Sequence, residues 1–349
     1  MEILISGRQI GREHPPFVIA EMSGNHNQSL ERALQIVDAA AESGAHALKL
    51  QTYTADTLTL DVKGGSFDIQ DPKSPWNGQN LHSLYQSAYT PWQWHEAIFK
   101  RAASHGLICF SSPFDESAVN FLEEMKAPAY KIASFENNHL PLIRKVASTG
   151  KPVIISTGMA TVCDLDQAVS TAREAGCTKL ILLKCTSTYP ATPENTNLST
   201  IPHLRQLFDC EVGLSDHTMG VGASVAAVAF GASVIEKHFT LSRADGGVDS
   251  NFSLEPQEFA SLVVETHRAW QSIGCIHYGP TEAEKKSLIF KRSIYVAKDI
   301  KQGELFSADN IKIVRPGDGA PPGFYEQLIG RKSPKALTAG SPLLLEELF

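Results

Sequence analysis

The chain has 349 residues, 42% hydrophobic and 20% charged, with a formal net charge of −7. That length supplies a large core with room for one big domain and a small one, and the composition is that of a soluble globular protein, neither disordered nor coiled-coil. The negative balance excludes a general nucleic-acid binder, which needs a basic surface, and no run reaches the roughly 18 apolar residues of a membrane helix.

Residues 1–14 carry Glu2, Arg8, Arg12 and Glu13 without the apolar centre of a signal peptide, so a cytoplasmic location with no membrane partner is expected. Cys109, Cys163, Cys177, Cys185, Cys210 and Cys275 are scattered, with no C-x-x-C and no zinc-like spacing. They read as reduced, buried, structural thiols.

Short apolar runs recur at 17–20, 45–50, 107–110, 129–133, 153–155, 179–183, 211–214 and 233–235. Amphipathic stretches of helical spacing lie between and after them, at 30–43, 91–105, 116–125, 140–149, 164–175, 220–230 and 256–273. Ser29 opens the first stretch as a cap, and Gly44, Gly106, Gly150, Gly176 and Gly231 close others. Alternating strand and helix implies parallel pairing with right-handed crossovers, and eight repeats predict closure into a (β/α)8 TIM barrel, an α/β fold. An open doubly wound sheet is the competing architecture, weakened because no G-x-G-x-x-G follows the first run.

The stretch 52–90 breaks the regular spacing with turn chemistry around Gly64, Gly65, Pro72, Pro75 and Gly78, and reads as a lid or substrate wall on the catalytic face. After Ile273 the chain becomes polar, which sets expected boundaries: a barrel domain at 1–276, a linker at 277–290 and a small domain at 291–349. Within the last, 298–305 is echoed in style by 335–343, marking a turn-rich module near the lower limit of independent folding.

In such a barrel the active site lies at the C-terminal strand ends. Those ends carry Glu21; Lys49 and Gln51; Ser111 and Ser112; Lys131 and Ser134; Ser156 and Thr157; Lys184, Thr186 and Ser187; Ser215 and His217; and Glu236 and His238. His217 and His238 each end an apolar run, and on neighbouring parallel strands they would converge. Two imidazoles with open positions describe a catalytic metal rather than a structural one. Lys49 and Lys131 sit in apolar context, where an ammonium requires an anion. A bound phosphate and carboxylate would answer that need, and an internal salt bridge to Glu21 or Glu136 is the alternative. The turn Ser156-Thr157-Gly158-Met159 offers backbone N–H donors at a helix start.

The stretches Ile19 to Asn27, Leu48 to Thr52, Ser111 to Asp115, Tyr130 to Ser134, Ile155 to Met159, Gly213 to Thr218 and Ile235 to Thr240 together resemble the sialic acid synthase family, across the whole barrel and in order. Arg315-Pro316-Gly317-Asp318-Gly319 resembles that family's antifreeze-like (SAF) tail domain. Ser23 to Ser29, Ala88 to His95, Ser134-Phe135-Glu136 and Leu183 to Ser187 are most similar to the pseudaminic acid branch. Lys184 stands where the neuraminic acid branch is expected to carry histidine.

The resemblance implies a transferase that condenses phosphoenolpyruvate with an amino-sugar aldehyde. His217 and His238 would bind a divalent metal, Mn2+ first, Mg2+ or Co2+ otherwise. Phosphoenolpyruvate would be held by Lys49, Ser112, Lys131, Ser134, Ser156, Ser187 and Ser215. Glu21 would orient or deprotonate the reacting groups, and Glu136 would handle water. Gln51, Tyr189 and Asp249 would face the sugar, with Asn77 or Asn80 as further contacts. Arg315 would reach the partner's active site in a domain-swapped homodimer. The competing functions are synthesis of neuraminic or legionaminic acid, a metal-dependent aldolase or isomerase, and a non-catalytic carbohydrate-binding protein.

Overall fold

Two-residue periodicity sorts the strand side chains into two layers, and that sorting builds the fold. In the computed structural model, which describes residues 3–72 and 74–347, β1 (Ile3–Ile5) and β2 (Arg8–Ile10) form an antiparallel hairpin. The strands β3 (Phe17–Glu21), β4 (Ala47–Thr52), β5 (Ile108–Pro113), β6 (Tyr130–Ile132), β7 (Val153–Ser156), β8 (Leu180–Cys185), β9 (Glu211–Asp216) and β10 (Val234–His238) are parallel. They close on themselves, β10 pairing with β3, so the sheet is a barrel and the open-sheet alternative falls. Around and above it run α1 (Leu30–Glu42), α2 (Ala55–Leu58), α3 (Leu81–Ala88), α4 (His95–Ser104), α5 (Glu116–Glu124), α6 (Leu140–Ala147), α7 (Val162–Glu174), α8 (Thr200–Phe208), α9 (Gly222–Ala229) and α10 (Pro256–Ile273).

Alternate residues face outward against these helices: Val18 and Ala20, Leu48 and Leu50, Tyr130 and Ile132, Leu182, Leu214 and Ile235 belong to that layer. Their neighbours Phe17, Ile19, Ala47, Phe110, Ala129, Ile154, Ile181, Leu183 and Val234 form a separate inner cluster. Ile3, Ile5 and Ile10 of the hairpin join it, so the hairpin stops the N-terminal mouth of the barrel. Each large side chain buried this way contributes roughly 1.5–3 kcal/mol. Further along the same inward rows the residues turn polar, which leaves the C-terminal mouth for chemistry.

Helix ends follow local rules. The Ser29 hydroxyl accepts the Arg32 N–H at the start of α1, and Gly44, at φ +78°, turns the chain out of it. Three features depart from the sequence reading. The hairpin β1–β2 is unanticipated because three-residue strands carry little pattern. α8 is likewise unanticipated, and it accommodates Pro202 because a proline in the first turn costs no hydrogen bond. Strands β4, β5, β9 and β10 outrun their apolar cores because backbone pairing continues beneath polar side chains.

The insertion is more regular than its turn chemistry suggests. Asn80 caps α3 by accepting the His82 N–H, and its amide donates to Val62 O (2.8 Å) and Asp68 Oδ1 (2.9 Å). The Trp76 indole N–H donates to Val248 O (3.0 Å), tying the insertion to the loop after β10.

The chain divides into two compact units between Gly274 and Cys275. The second contains the antiparallel pair β11 (Ser293–Val296) and β12 (Ile311–Val314) and the short α11 (Tyr325–Leu328). Its own core gathers Ile294, Val296, Ile300, Phe306, Ile311 and Leu343, among others. The two echoing segments pair with each other, Ile300 opposite Leu337. All six cysteines are free; Cys109, Cys177 and Cys185 are buried, but Cys163 and Cys275 are exposed, so those two are not the buried thiols expected. Among the described residues no helix is long and apolar enough to cross a membrane.

Candidate active site

A cavity of about 450 Å³ opens at the C-terminal mouth. Glu21, Gln51, Lys49, Lys131, Ser134, Glu136, Ser156, Tyr189, Ser215, His217, His238 and Asp249 all line it, so most of the expected residues are brought together. Ser112 stands just behind, accepting from the Lys49 ammonium at 3.3 Å. Ser187 packs against Gly158, where an added Cβ would collide with the hydroxyls of both Ser187 and Ser134. Arg315 belongs to the second unit, exposed and directly after β12.

The floor is a charge network. Lys49, 3% exposed, forms an ion pair with Glu21 and lies 3.8 Å from Glu236, while Lys131 lies 3.4 Å from the same Glu236 oxygen. The internal salt bridge weighed for Lys49 is therefore present, to Glu21 and not to Glu136. Both lysines meet on Glu236, which the sequence reading places only as a strand-end residue. Burial pulls the Lys49 ammonium toward neutrality, and Glu21 with Glu236 more than reverse that. For Lys131 burial prevails over Glu236, and its pKa lies below the ordinary value. Burial pushes the Glu21 carboxyl up to about 7 against the pull of Lys49, and pushes Glu136 up to about 7 against Lys131. Carboxyls held there can give or take a proton near neutral pH.

Several buried polar atoms of the cavity have no hydrogen-bond partner: Glu136 Oε2, Ser156 Oγ, Glu236 Oε2 and His238 Nδ1. Unsatisfied groups converging on one cavity mark a ligand site, because each carries a desolvation cost that a bound molecule would relieve. The Asn137 amide holds the 156–159 turn by donating to Gly158 O (3.0 Å). The helix-start reading of that turn is corrected: Gly158 N–H already donates to Ser134 Oγ (3.2 Å). α7 begins only at Val162, under a capping box of Thr161 and Asp164. Asn80 is committed to capping α3, and neither it nor Asn77, which is exposed, lines the cavity.

His217 and His238 face each other with ring centroids 5.3 Å apart. His217 Nδ1–H donates to Thr186 O (3.0 Å), which leaves Nε2 free, and His238 Nδ1 has no hydrogen-bond partner. Two open imidazole nitrogens fit a divalent cation, with the remaining positions left to oxygen donors from outside the protein. Among the described residues no group of three or more His, Cys, Asp or Glu is set to hold a metal ion. Tyr189 packs on His217 at 4.6 Å and Phe252 on His238 at 4.9 Å, fixing both rings. Asp249 accepts from Ser23 and lies 3.9 Å from His238 Nδ1.

Across the cavity the insertion supplies an apolar wall of Leu58, Ile69, Trp76, Leu81, Leu84 and Tyr85. Cys185, at the inward end of β8, is a second lining residue the sequence reading leaves out. Parity finds both: Cys185 continues Ile181 and Leu183, and Glu236 continues Val234, on inward rows.

The sequence profile of the NeuB family matches residues 36–278. The chain belongs to the NeuB family. A SAF domain profile matches residues 291–348, so the tail expectation holds too. A pseudaminic acid synthase of Campylobacter jejuni is 45% identical over 94% of this chain and 95% of its own. One from Helicobacter pylori is 42% identical over 96% and 98%. Synthases named for diacetyllegionaminic acid stand at 34%. Among solved structures, an N-acetylneuraminic acid synthetase from Leptospira borgpetersenii, in complex with citrate, superposes with a TM-score of 0.72. It is 31% identical and covers 82% of this chain and 95% of its own. The NeuB barrel and its SAF tail account for the resemblance to sialic acid synthases.

Proposed function

We propose that this chain is a pseudaminic acid synthase, condensing phosphoenolpyruvate with 2,4-diacetamido-2,4,6-trideoxy-L-altrose. The observation that carries the reading is a single cavity in which a lysine and serine cradle faces a pair of open imidazoles. The margin between 45% and 34% identity favours the pseudaminic branch over the legionaminic one. In the reaction C3 of phosphoenolpyruvate bonds to the aldehyde carbon, water adds at C2, and the C2–O bond breaks to release phosphate and leave the 2-keto acid.

Lys49, Lys131, Ser112, Ser134, Ser156, Ser187 and Ser215 hold the phosphate and carboxylate, so an entering trianion displaces the contacts the lysines now make to Glu21 and Glu236. Glu21, held by the Gln51 amide at 2.9 Å, orients the reacting groups and receives a proton. Glu136 takes the proton of the attacking water. Tyr189, Asp249 and Gln51 face the sugar. A divalent cation on His217 and His238, Mn2+ before Mg2+ or Co2+, supplies Lewis-acid polarisation of the aldehyde. The reading includes a cytoplasmic location and a domain-swapped homodimer in which Arg315 completes the partner's cavity.

Purified protein with Mn2+ and phosphoenolpyruvate, offered each candidate sugar, should release phosphate fastest with the trideoxy-altrose. Faster release with N-acetylmannosamine or the legionaminic precursor reassigns the branch; no release with any sugar removes the synthase reading. With 18O in the bridging position of phosphoenolpyruvate, label should leave with phosphate, and label kept in the keto acid overturns C–O cleavage.

A further inference from the structure

The outward rows of β9 and β10 pack against helices and are apolar along most of their length: Val212 and Leu214 on one, Ile235 on the other, with Phe239 following. At the level of the two histidines that rule breaks. Asp216 and Lys237, immediately before His217 and His238, point outward into the same layer with side chains 0% exposed. They stand opposite each other in the strand register, and the Lys237 ammonium meets Asp216 Oδ2 at 2.8 Å.

Burying two charges costs several kcal/mol for each ion, and hydrophobic residues of similar volume would be as stable or more so. A pair placed there therefore calls for a reason other than stability. Its hydrogen bonds supply one. Asp216 Oδ1 accepts both the N–H (2.9 Å) and the hydroxyl (2.7 Å) of Thr218, and Oδ2 accepts the Ser224 hydroxyl of α9 (2.7 Å). The Lys237 ammonium also donates to Thr218 O (2.5 Å). Residues on both sides of His217 and the residue before His238 are thus tied into one knot. It fixes how the chain turns after β9 and how far the two imidazoles stand apart.

We propose that the Asp216–Lys237 pair, with Thr218 and Ser224, is a positioning device that sets the geometry of His217 and His238 for a divalent cation. This rests on the reading that those histidines hold the cation. The groups act through the histidines and line no part of the cavity. Phosphoenolpyruvate binding, carried largely by strands β4 to β7, should be little affected.

The test is Mn2+ titration by calorimetry on full-length protein without substrates, alongside melting temperature and the KM for phosphoenolpyruvate. Asp216→Leu/Lys237→Met removes both charges together and should fold, melting several degrees below the wild type because Thr218 and Ser224 lose their acceptor. It should bind Mn2+ roughly 10–100-fold more weakly, the usual loss when groups that orient metal ligands are removed. Its phosphoenolpyruvate KM should change by less than about threefold, a small fraction of that loss. Wild-type Mn2+ affinity in the folded double variant overturns the proposal. If the double variant does not fold, Ser224→Ala and Thr218→Val decide: each should weaken Mn2+ severalfold at unchanged melting temperature, and unchanged affinity in both overturns it. No Mn2+ binding by the wild-type protein would instead overturn the metal reading, a separate outcome.

Discussion

At the level of single residues the cavity is a balance of buried charge, and Lys131 is where that balance is most exposed to test. It is 2% exposed, and the carboxylate it faces, Glu236, has one oxygen without a hydrogen-bond partner. Removing Lys131 leaves Glu236 with Lys49 at 3.8 Å and the Ser215 hydroxyl at 3.1 Å, so the cost lies at the lower end of that for breaking a buried pair, about 3 kcal/mol. Lys131→Met should lower the melting temperature by several degrees and cut phosphate release at least about 100-fold, since a charge-assisted contact to the substrate is lost as well. Lys131→Met/Glu236→Gln should recover most of the melting temperature and none of the activity. Recovery of both would reduce Lys131 to a structural partner. Glu136 makes a second, pH-dependent case. Burial raises its carboxyl to about 7, as it does for Glu21, and both must be ionised to accept protons. Wild-type kcat/KM should therefore climb through about pH 7 with a two-proton slope. Glu136→Gln should reduce that slope to one and the rate by about 10²–10⁴-fold. An unchanged slope would take the water-activating role away from Glu136.

Among the elements, the strands were the most legible part of the chain, because each apolar run ends where its inward row turns polar. Lys49, Lys131, Ser156, Ser215 and His238 could be placed from that transition alone. Glu236 is placed there too but given no role, and Cys185 is missed, since a list of strand-end residues ignores which face each one takes; parity separates Cys185 from its outward neighbour Lys184. The insertion was the least legible element. Its structure rests on long-range ties, Trp76 to Val248 and Asn80 to Val62, that no local periodicity announces. Its apolar wall nonetheless has a consequence for specificity. The proposed sugar presents a C6 methyl and two acetamido methyls, and a wall of Leu58, Ile69, Leu81 and Leu84 with two aromatics suits them. A methyl pocket is worth about 10–200-fold in discrimination. Leu84→Asn should lower kcat/KM for the trideoxy sugar by about that factor while leaving the phosphoenolpyruvate KM within about twofold, well inside that range. Competition between the sugar and its 6-hydroxy counterpart is the measurement, and unaltered preference would remove the wall from substrate selection.

For the whole molecule, pH acts on stability through buried histidines outside the cavity as well as through the carboxyls within it. His26 and His95 are fully buried where the insertion returns to the barrel, bonded to Thr90 and Thr52, and burial pushes both down to about 4. A histidine whose folded pKa is depressed contributes stability that is complete above its ordinary 6.5 and is lost as pH falls toward 4, about 3 kcal/mol for each. Glu21 and Glu136, with raised values, act in the opposite sense over much of that window, so the comparison must be between variants. His95→Gln should gain on the wild type by about 3 kcal/mol in denaturant unfolding between pH 7 and 4; a constant difference refutes the assignment. The second unit poses the remaining question at this scale. It has its own core and carries Arg315 exposed. If that arginine completes a partner's cavity, Arg315→Ala and Glu21→Ala chains, each inactive alone, should complement when mixed and refolded together. Random pairing makes half the dimers mixed, each with one intact site, so about one quarter of wild-type activity should return. If the arginine serves its own chain, every site in every dimer lacks one group or the other, and mixing restores nothing.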